Sequence, residues 1–543
     1  MNAADQFPLT AAPAAAPGPL ARLAHPFVWI ARRERLACAV VLFLTLGIRA
    51  TLLPWDPVPV PAIHDEMSYL LAGDTYASGR LANPPHAFWE HFETFHVLQQ
   101  PVYASKYQPL QGLVLAFGQK FFGQPWAGVY FSAGLMCAAM CWMLQGWIEP
   151  ELALLGAIIF MLRAGIFGYW MNSYWGGAVP AIGGALALGA VARIWRRRQL
   201  GHSATWALGL AILMHSRPYD AALIGLLSGA LLVWALRKNA VPFRISVRQV
   251  AIPALAILFV SLALVGYYDY RLTGSATTLP FQLFDKQYVV APMFSFLPLR
   301  PEPVYRHAAM HQFFAIWNVE LWNTARKDFV NSFLANVGDL YAFFFGLWPL
   351  LIPPLIWPYP LKTAEEKAVV VLLVASVLLG IGPLIGSQPH YAAAAAGLFY
   401  LRFLQTIARL KLWRPGGKPI GAGVALVFLA LIGYQFTSSL SILFRYGTEI
   451  SKFGLARAEV LQDLRQRPGK QLVLVRYAPD HRMHDEWVQN AADIDASRIV
   501  WAYEMGVEQD RPLIGYYRDR QVWLLEPDRS PPKLAPYNEL AAH

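Results

Sequence analysis

Long apolar runs recur along almost the whole chain, and they constrain its fold more than any other feature. Runs of roughly 17 to 25 residues cross a bilayer core about 30 Å thick as helices, because a helix satisfies its own backbone hydrogen bonds. We count about eleven such runs. With 56% hydrophobic and 15% charged residues, the chain also departs from the composition of soluble globular proteins. The sequence therefore predicts an α-helical polytopic membrane protein.

The predicted spans cover residues 36–53, 126–147, 152–167, 178–194, 204–214, 221–236, 252–267, 337–356, 369–385, 392–407 and 420–443. The fifth is the shortest. Long polar segments separate some of them, notably 54–125 and 268–336. Loops of that length usually carry function.

Basic residues fall in four clusters beside these spans, and short basic connections stay in the cytoplasm. This rule predicts a cytoplasmic leader at 1–35, a membrane domain at 36–444 with both long loops outside, and an extracytoplasmic domain at 445–543. We expect a multi-pass protein of a cell membrane, typically a bacterial inner or plasma membrane. The net charge of +11 then needs no nucleic acid, since topology and anionic lipids account for it. The clusters are Arg32, Arg33 and Arg35; Arg193 and Arg196 to Arg198; Arg237, Lys238, Arg244 and Arg248; and Lys411, Arg414 and Lys418.

The tail after Arg445 has a soluble composition. A helix-like stretch at 450–465 and strand-like stretches at 471–477, 499–503 and 521–525 predict a small α/β domain. A cluster of four polar side chains in its first long loop has two interpretations, a metal site or a solvated loop. The absence of a ligand motif favours the solvated loop. The cluster is His481, His484, Asp485 and Glu486.

The first long loop begins with His64-Asp65-Glu66. Apolar residues follow at helical spacing from Met67, so a short helix is predicted with both carboxylates at its amino end. Asp65 then has two interpretations: an ionised functional group, or a simple helix cap.

Further along this loop, His91, Glu93 and His96 offer nitrogen and oxygen ligands within one short stretch. They can hold a divalent metal, with His64 as a further ligand. Alternatively, these histidines are hydrogen-bonded anchors among interfacial aromatic residues. A surface helix is predicted at 110–122, lying along the membrane.

Several motifs together resemble the GT-C superfamily of polytopic glycosyltransferases, with its aminoarabinose-transferase, protein-mannosyltransferase and RgtA/B/C/D-like branches. The similarity covers most of the membrane portion. It implies a GT-C-like fold and a sugar donor linked to polyprenyl phosphate, with a first-loop acid as catalytic base. The motifs are Asp65-Glu66, Gly79-Arg80-Leu81, Ser105-Lys106-Tyr107-Gln108-Pro109, Tyr174-Trp175-Gly176-Gly177 and His390-Tyr391.

Such a transfer needs a base for the acceptor hydroxyl and cations for the departing phosphate. Asp65 is the predicted base and Glu66 the second choice, because neighbouring helical residues point about 100° apart. Lys106 is the predicted phosphate ligand by its motif position, with Tyr107 beside it. Arg217 is a further phosphate ligand, or else it pairs with Asp220.

An outer turn at 169–177 offers a platform for a sugar or acceptor, formed by Asn172, Tyr174 and Trp175, with His390 and Tyr391 nearby in the prediction. An interfacial aromatic belt explains these rings equally well. Asn172 stands where part of the superfamily has a second acid. The sequence therefore favours a mechanism with a base alone and no required cofactor, a divalent metal being the alternative.

The predicted function is sugar transfer, with inversion, from a polyprenyl-phosphate donor to a lipid, polysaccharide or protein acceptor of the envelope, in contact with membrane lipids. One alternative is a transporter or flippase of a lipid-linked intermediate, which predicts charges deep in several spans and broken repeats. Another is a structural membrane protein with an outer sensing domain, which leaves the first loop without a role.

Overall fold

The computed structural model describes residues 19–346, 361–447 and 451–537. Most of the predicted leader and the end of the predicted span 337–356 lie outside these residues. Within them, the chain is mainly helical, and a small sheet forms near its end.

The helices up to the second long loop are α1 (Pro19–Ala31), α2 (Glu34–Thr51), α3 (His64–Ala77), α4 (Pro109–Phe122), α5 (Pro125–Trp147), α6 (Pro150–Phe160), α7 (Ala178–Arg196), α8 (Leu200–Met214), α9 (Pro218–Lys238), α10 (Phe243–Ile245) and α11 (Ile252–Thr273). They continue with α12 (Pro280–Tyr288), α13 (Ala308–His311), α14 (Asn318–Lys327), α15 (Phe329–Phe345), α16 (Ala364–Gly380), α17 (Ala396–Lys411), α18 (Ile420–Tyr446), α19 (Lys452–Gln466) and α20 (Val507–Tyr516).

Five of the described helices are long and apolar enough to cross a membrane: α5, α7, α9, the stretch Phe243–Thr273, and α18. Helix α2 has 18 residues but carries Glu34, Arg35 and Arg49. The runs predicted at 152–167, 204–214, 369–385 and 392–407 correspond to shorter helices, α6, α8, α16 and α17. These helices fit a multi-pass membrane protein by length and composition, whereas the count of about eleven spans stays a prediction.

Small residues allow α7 to pack closely against its neighbours. Gly183 faces the backbone of Gly209 in α8, and Gly184 faces the Ala394 carbonyl, where a Cβ atom would collide. Such close backbone approach is typical of small residues between membrane helices. It fixes the short 3₁₀ segment Pro389–Ala395, which carries His390, against the helical core.

The tail folds into the predicted α/β unit. The first long loop contains two short strands, β1 (Val97–Leu98) and β2 (Ala104–Ser105). The four strands of the tail are β3 (Lys470–Val475), β4 (Ile499–Tyr503), β5 (Arg520–Glu526) and β6 (Lys533–Pro536). The sheet order is β4-β3-β5-β6, with β3 parallel to both neighbours and β6 antiparallel to β5. Buried apolar residues in β3 and β4 form its core.

This C-terminal unit packs on the first long loop. The Ala492 amide donates to Asp74 at 2.7 Å, and the Gln489 side chain donates to Thr94 at 2.8 Å. The ring of His307, from the second long loop, stacks on Tyr503 with centroids 3.7 Å apart. Three segments distant in sequence therefore meet around residues 64–107.

Helix α4 has the two faces predicted for a surface helix. Leu115 and Ala116 are buried, whereas Phe117, Phe121 and Phe122 are exposed. Exposed aromatic residues on one face suit a position at the membrane interface.

Candidate active site

Asp65 lies in the first turn of α3, as the sequence predicted, and its carboxylate faces His96 and Tyr107 rather than capping its own helix. Its Oδ1 accepts a short hydrogen bond from the Tyr107 hydroxyl. Its Oδ2 lies 3.2 Å from His64 Nδ1 and 3.5 Å from His96 Nε2. The side chain is 17% exposed. Asp65 is therefore a mostly buried carboxylate with three polar neighbours.

These neighbours decide its protonation state. Burial alone raises the pKa of Asp65, but His96 and His64 lower it by more, so its pKa lies well below the usual range. Burial and the charge of Lys106 lower the pKa of His96 to about 3, which leaves that imidazole neutral. An ionised carboxylate thus faces the neutral imidazole of His96 at neutral pH.

The backbone at His96 brings these groups together. His96 has a φ of 63°, a left-handed conformation that non-glycine residues rarely adopt and that often marks a functional site. Its carbonyl accepts hydrogen bonds from Ser68 Oγ at 2.7 Å and from the Lys106 amide at 3.0 Å. The turn ties α3 to the segment that carries Lys106 and Tyr107.

Glu66, the second choice for the base, binds backbone amides. Its Oε2 accepts the amides of Ala62 and Ile63 at 2.8 and 3.2 Å, and its Oε1 accepts the amide of Tyr174 at 2.8 Å. The residue is only 3% exposed. Both oxygens of Glu66 are thus occupied by backbone donors, whereas Asp65 faces side chains, and Glu66 as an alternative base stays a prediction.

Lys106 is a buried cation among aromatic faces. Its Nζ lies 4.7 Å from the ring centres of both Phe281 and Phe284. Within the described part of the chain, Nζ has no hydrogen bond and no ion pair. Burial lowers the pKa of Lys106, while Asp285 and Asp65 raise it. A buried ammonium without an anionic partner fits an anionic ligand.

Tyr107, predicted beside the phosphate, contacts the carboxylate instead. Its hydroxyl binds Asp65, its ring stacks on Tyr69 with centroids 4.3 Å apart, and its carbonyl accepts the Tyr268 hydroxyl at 2.9 Å. The phenol is thus held by contacts with three residues. Its hydroxyl is directed at Asp65, and its assignment to phosphate binding stays a prediction.

The structure brings Arg217 and His390 together, a contact that the sequence did not predict. Arg217 Nη1 donates to the His390 carbonyl at 2.8 Å, and its guanidinium lies 4.6 Å from the ring centre of Tyr391. Its Nη1 is 3.9 Å from the carboxylate of Asp220, too far for a hydrogen bond. Among the described residues, the Nε and Nη2 groups have no hydrogen-bond partner, so two donors remain for a ligand.

Tyr69 links Arg217 to Asp65. Burial raises the pKa of the Tyr69 hydroxyl, Arg217 lowers it and Asp65 raises it, so both charges act on this one ring. Tyr69 in turn stacks on Tyr107, the partner of Asp65. Arg217 and Asp65 are therefore both near Tyr69.

The predicted sugar platform is only partly available. Asn172 is fully engaged: its Oδ1 accepts from Arg49 at 2.9 Å, and its Nδ2 donates to the Ile166 and Gly168 carbonyls. Tyr174 is buried, and its hydroxyl donates to Pro59 at 3.1 Å. Both residues hold the turn at 169–177 in place, and their assignment to substrate contact stays a prediction.

Trp175 and His390 remain as platform residues. The Trp175 ring is half-buried and lies 4.5 Å from the His390 ring, centre to centre. The Tyr169 hydroxyl and His390 Nδ1 are 2.7 Å apart, and Tyr391 follows directly. These rings form an aromatic wall next to Arg217.

The predicted metal ligands do not gather as expected. His91 faces Asp510 of the C-terminal unit at 3.4 Å, and Glu93 binds Tyr288 and Arg306. Of the predicted set, only His96 lies at the carboxylate. Among the described residues, His91, Glu93 and His96 are therefore not brought together as one set of ligands.

A different trio fits a divalent ion within the described residues. His64, Asp65 and His96 each offer one ligand atom, all within 4.8 Å of one another. Both ring nitrogens of His64 and Nδ1 of His96 are buried without a hydrogen bond. Two imidazoles and a carboxylate form a donor set suited to zinc.

Two contributors were missed by the sequence reasoning. His484, in the C-terminal unit, stacks on His64 with centroids 5.9 Å apart and meets the edge of Trp317 at 5.2 Å. Arg49, fully buried in α2, joins Asn172 to the Asp56 carbonyl at 2.7 Å. Both contacts join segments far apart in sequence, so local spacing carries no signal for either.

No protein-family model matches the chain, and no curated protein matches it. Solved structures with a similar arrangement include ArnT from Cupriavidus metallidurans bound to undecaprenyl phosphate, with a TM-score of 0.48 at 11% identity over 93% of each chain. The oligosaccharyltransferase of Archaeoglobus fulgidus tethered with an acceptor peptide has a TM-score of 0.47 at 10% identity, over 90% of this chain and 69% of that one. The same archaeal enzyme in complex with zinc and sulfate gives 0.44 at 11% identity, over 90% and 67%.

Proposed function

We propose that this protein transfers a sugar from a polyprenyl-phosphate donor to an acceptor hydroxyl of the cell envelope, at the outer face of the membrane. The observation that carries the proposal is the ionised Asp65 near the buried Lys106, whose Nζ makes no hydrogen bond or ion pair within the described residues. A base near a buried cation matches the two needs of such a transfer.

Asp65 acts as the general base. As the acceptor oxygen attacks the anomeric carbon, its O–H bond breaks and the proton passes to a carboxylate oxygen of Asp65. The bond from the anomeric carbon to the phosphate oxygen breaks at the same time, through an oxocarbenium-like state. One displacement inverts the anomeric configuration.

The neighbours of Asp65 hold it ready for this step. Tyr107 donates to Oδ1, and the two imidazoles approach Oδ2. Fixed donors keep the carboxylate ionised and oriented before the substrate arrives, which lowers the reorganisation needed in the reaction. The Glu66 contacts to three amides anchor the start of α3 in the same way.

Lys106 and Arg217 bind the donor phosphate. Charge-assisted hydrogen bonds from these cations stabilise the negative charge that develops on the leaving oxygen. Arg217 suits a phosphate because its guanidinium keeps two free donors in one plane. The ring wall of Trp175, His390 and Tyr391 lies beside it and suits contact with the sugar or the first prenyl unit.

A divalent ion is not required by this mechanism. His64, Asp65 and His96 would hold one, and it would supply Lewis acidity toward a phosphate oxygen. In its absence, the same two histidines orient Asp65. We favour the base-only mechanism because the carboxylate already has a hydroxyl donor and two imidazole neighbours.

The test compares deletion cells complemented with the wild-type chain, Asp65→Asn or Glu90→Gln. Glu90 is an acid of the same loop whose side chain is 47% exposed and pairs with Arg306, so it serves as a matched control. Mass spectrometry of envelope glycans and prenyl-linked sugars is the readout. We expect Asp65→Asn to leave one sugar missing from the glycan and its prenyl-linked form accumulated, with Glu90→Gln normal. A wild-type profile for Asp65→Asn would contradict the proposal and favour a transporter.

A further inference from the structure

Arg217 faces a carboxylate of its own chain as well as the proposed phosphate site. Its Nη1 lies 3.9 Å from Oδ2 of Asp220, while its hydrogen bond goes to the His390 carbonyl at 2.8 Å. Oδ2 of Asp220 is buried and has no hydrogen-bond partner among the described residues. The two charges are thus close enough to attract but are not locked together.

A small cavity lies beside this carboxylate. Its volume is about 20 Å³, and it lies between α9, α16 and the segment Pro389–Ala395. Asp220, Ser376 and Tyr391 contribute to its wall. The Ser376 hydroxyl is also buried without a hydrogen-bond partner in the described part of the chain. Buried polar groups left unpaired beside a cavity are unusual and call for an explanation.

The chemistry of the proposed reaction supplies an explanation for the unpaired carboxylate of Asp220. The donor is a phosphodiester with one negative charge, whereas the released polyprenyl phosphate is a monoester that carries about −1.5 to −2 at pH 7. Two cations in a buried site therefore hold the product more tightly than the donor. Product release limits turnover in many enzymes.

We propose that Asp220 is a positioning residue that competes with the lipid phosphate for Arg217 and so speeds release of the polyprenyl phosphate. This inference rests on the proposed function, in which Arg217 binds the phosphate. With phosphate present, Arg217 turns its free donors to the phosphate oxygens. As the product leaves, the Asp220 carboxylate replaces the phosphate as the anion that attracts the Arg217 guanidinium.

Binding of undecaprenyl phosphate to the purified protein tests this, by native mass spectrometry or a fluorescence titration. We expect Asp220→Asn to bind undecaprenyl phosphate about 5- to 20-fold more tightly, because the competing charge is gone. Asp220→Glu extends the carboxylate toward Arg217 and is expected to bind more weakly than the wild type. Glu365→Gln removes one acid from the first turn of α16, where it pairs with Arg196, and is expected to leave affinity unchanged.

The outcomes separate this inference from the proposed function. A merely structural role for Asp220 predicts weaker or unchanged binding by Asp220→Asn, and either result overturns the inference. If Asp220→Asn does not fold, unchanged or tighter binding by Asp220→Glu overturns it. Arg217→Ala is expected to weaken binding at least 10-fold. If Arg217→Ala binds like the wild type, the phosphate role of Arg217 itself is wrong.

Discussion

The Tyr107 hydroxyl donates a hydrogen bond to Oδ1 of Asp65, 42 positions earlier in the chain. This contact joins the helix that carries the acid to the segment that carries Lys106. It makes the proposed base and the proposed phosphate ligand parts of one rigid unit.

Replacing Tyr107 with Phe tests whether this phenol orients the base. The stack on Tyr69 remains, but Asp65 loses its hydroxyl donor. We expect the transfer rate to fall about 10- to 100-fold with donor affinity unchanged, because the base is less well held. Tyr103→Phe, which removes a hydroxyl bond to the Asn490 carbonyl, is the control for loss of one buried phenol. Weaker donor binding at an unchanged rate would instead support the original assignment of Tyr107 to phosphate.

Replacing Lys106 with Met tests the phosphate site, because Met keeps the apolar stem among the aromatic rings and removes the charge. We expect undecaprenyl phosphate to bind about 10- to 100-fold more weakly, the size of a lost charge-assisted contact. Lys106→Arg should restore part of the affinity. The exposed Lys286→Met is the control, and equal losses in both variants would point to a diffuse charge effect rather than a site.

Glu66 separates a structural carboxylate from a catalytic one. Glu66→Ala leaves three backbone amides without their acceptor, so we expect the free energy of unfolding to fall by about 3 kcal/mol or more. Glu66→Gln keeps an acceptor oxygen and should retain most of the transfer activity when assayed below its melting temperature. Thermal unfolding followed by intrinsic fluorescence, with activity measured in parallel, checks both. A stable but inactive Glu66→Gln would support Glu66 as a catalytic residue.

Chelation tests the base-only mechanism. We expect transfer by the purified protein to survive EDTA, because Asp65 is already oriented by Tyr107, His64 and His96. Metal analysis of the purified protein is the companion measurement. Suppose that EDTA abolishes activity and that zinc restores it in the wild type but not in His64→Ala. That result would show that the trio of His64, Asp65 and His96 holds a required ion.

The sequence predicted those parts of the fold that depend on local pattern. The apolar runs indicated helices, the spacing after Asp65 indicated α3, and the strand-like stretches of the tail indicated its sheet. Each of these depends on neighbouring residues, so a single sequence carries the signal.

The roles of individual polar residues depended on contacts that sequence does not show. Glu66 and Asn172 looked available for chemistry, but amides and an arginine from distant segments occupy them. His64 and His96 meet at Asp65 only because the chain turns through a left-handed residue at His96. His484 reaches His64 through the docking of a separate unit. Long-range packing decided all of these roles.

The most direct test of the central claim is the single-turnover rate of sugar transfer by purified wild-type and Asp65→Asn proteins. The donor is the prenyl-linked sugar that accumulates in the deletion cells, and membranes of those cells supply the acceptor. The account predicts equal donor binding by both proteins and a rate about 10³-fold lower for Asp65→Asn, the size of a lost general base. A rate within tenfold of the wild type would contradict the assignment of Asp65 as the base.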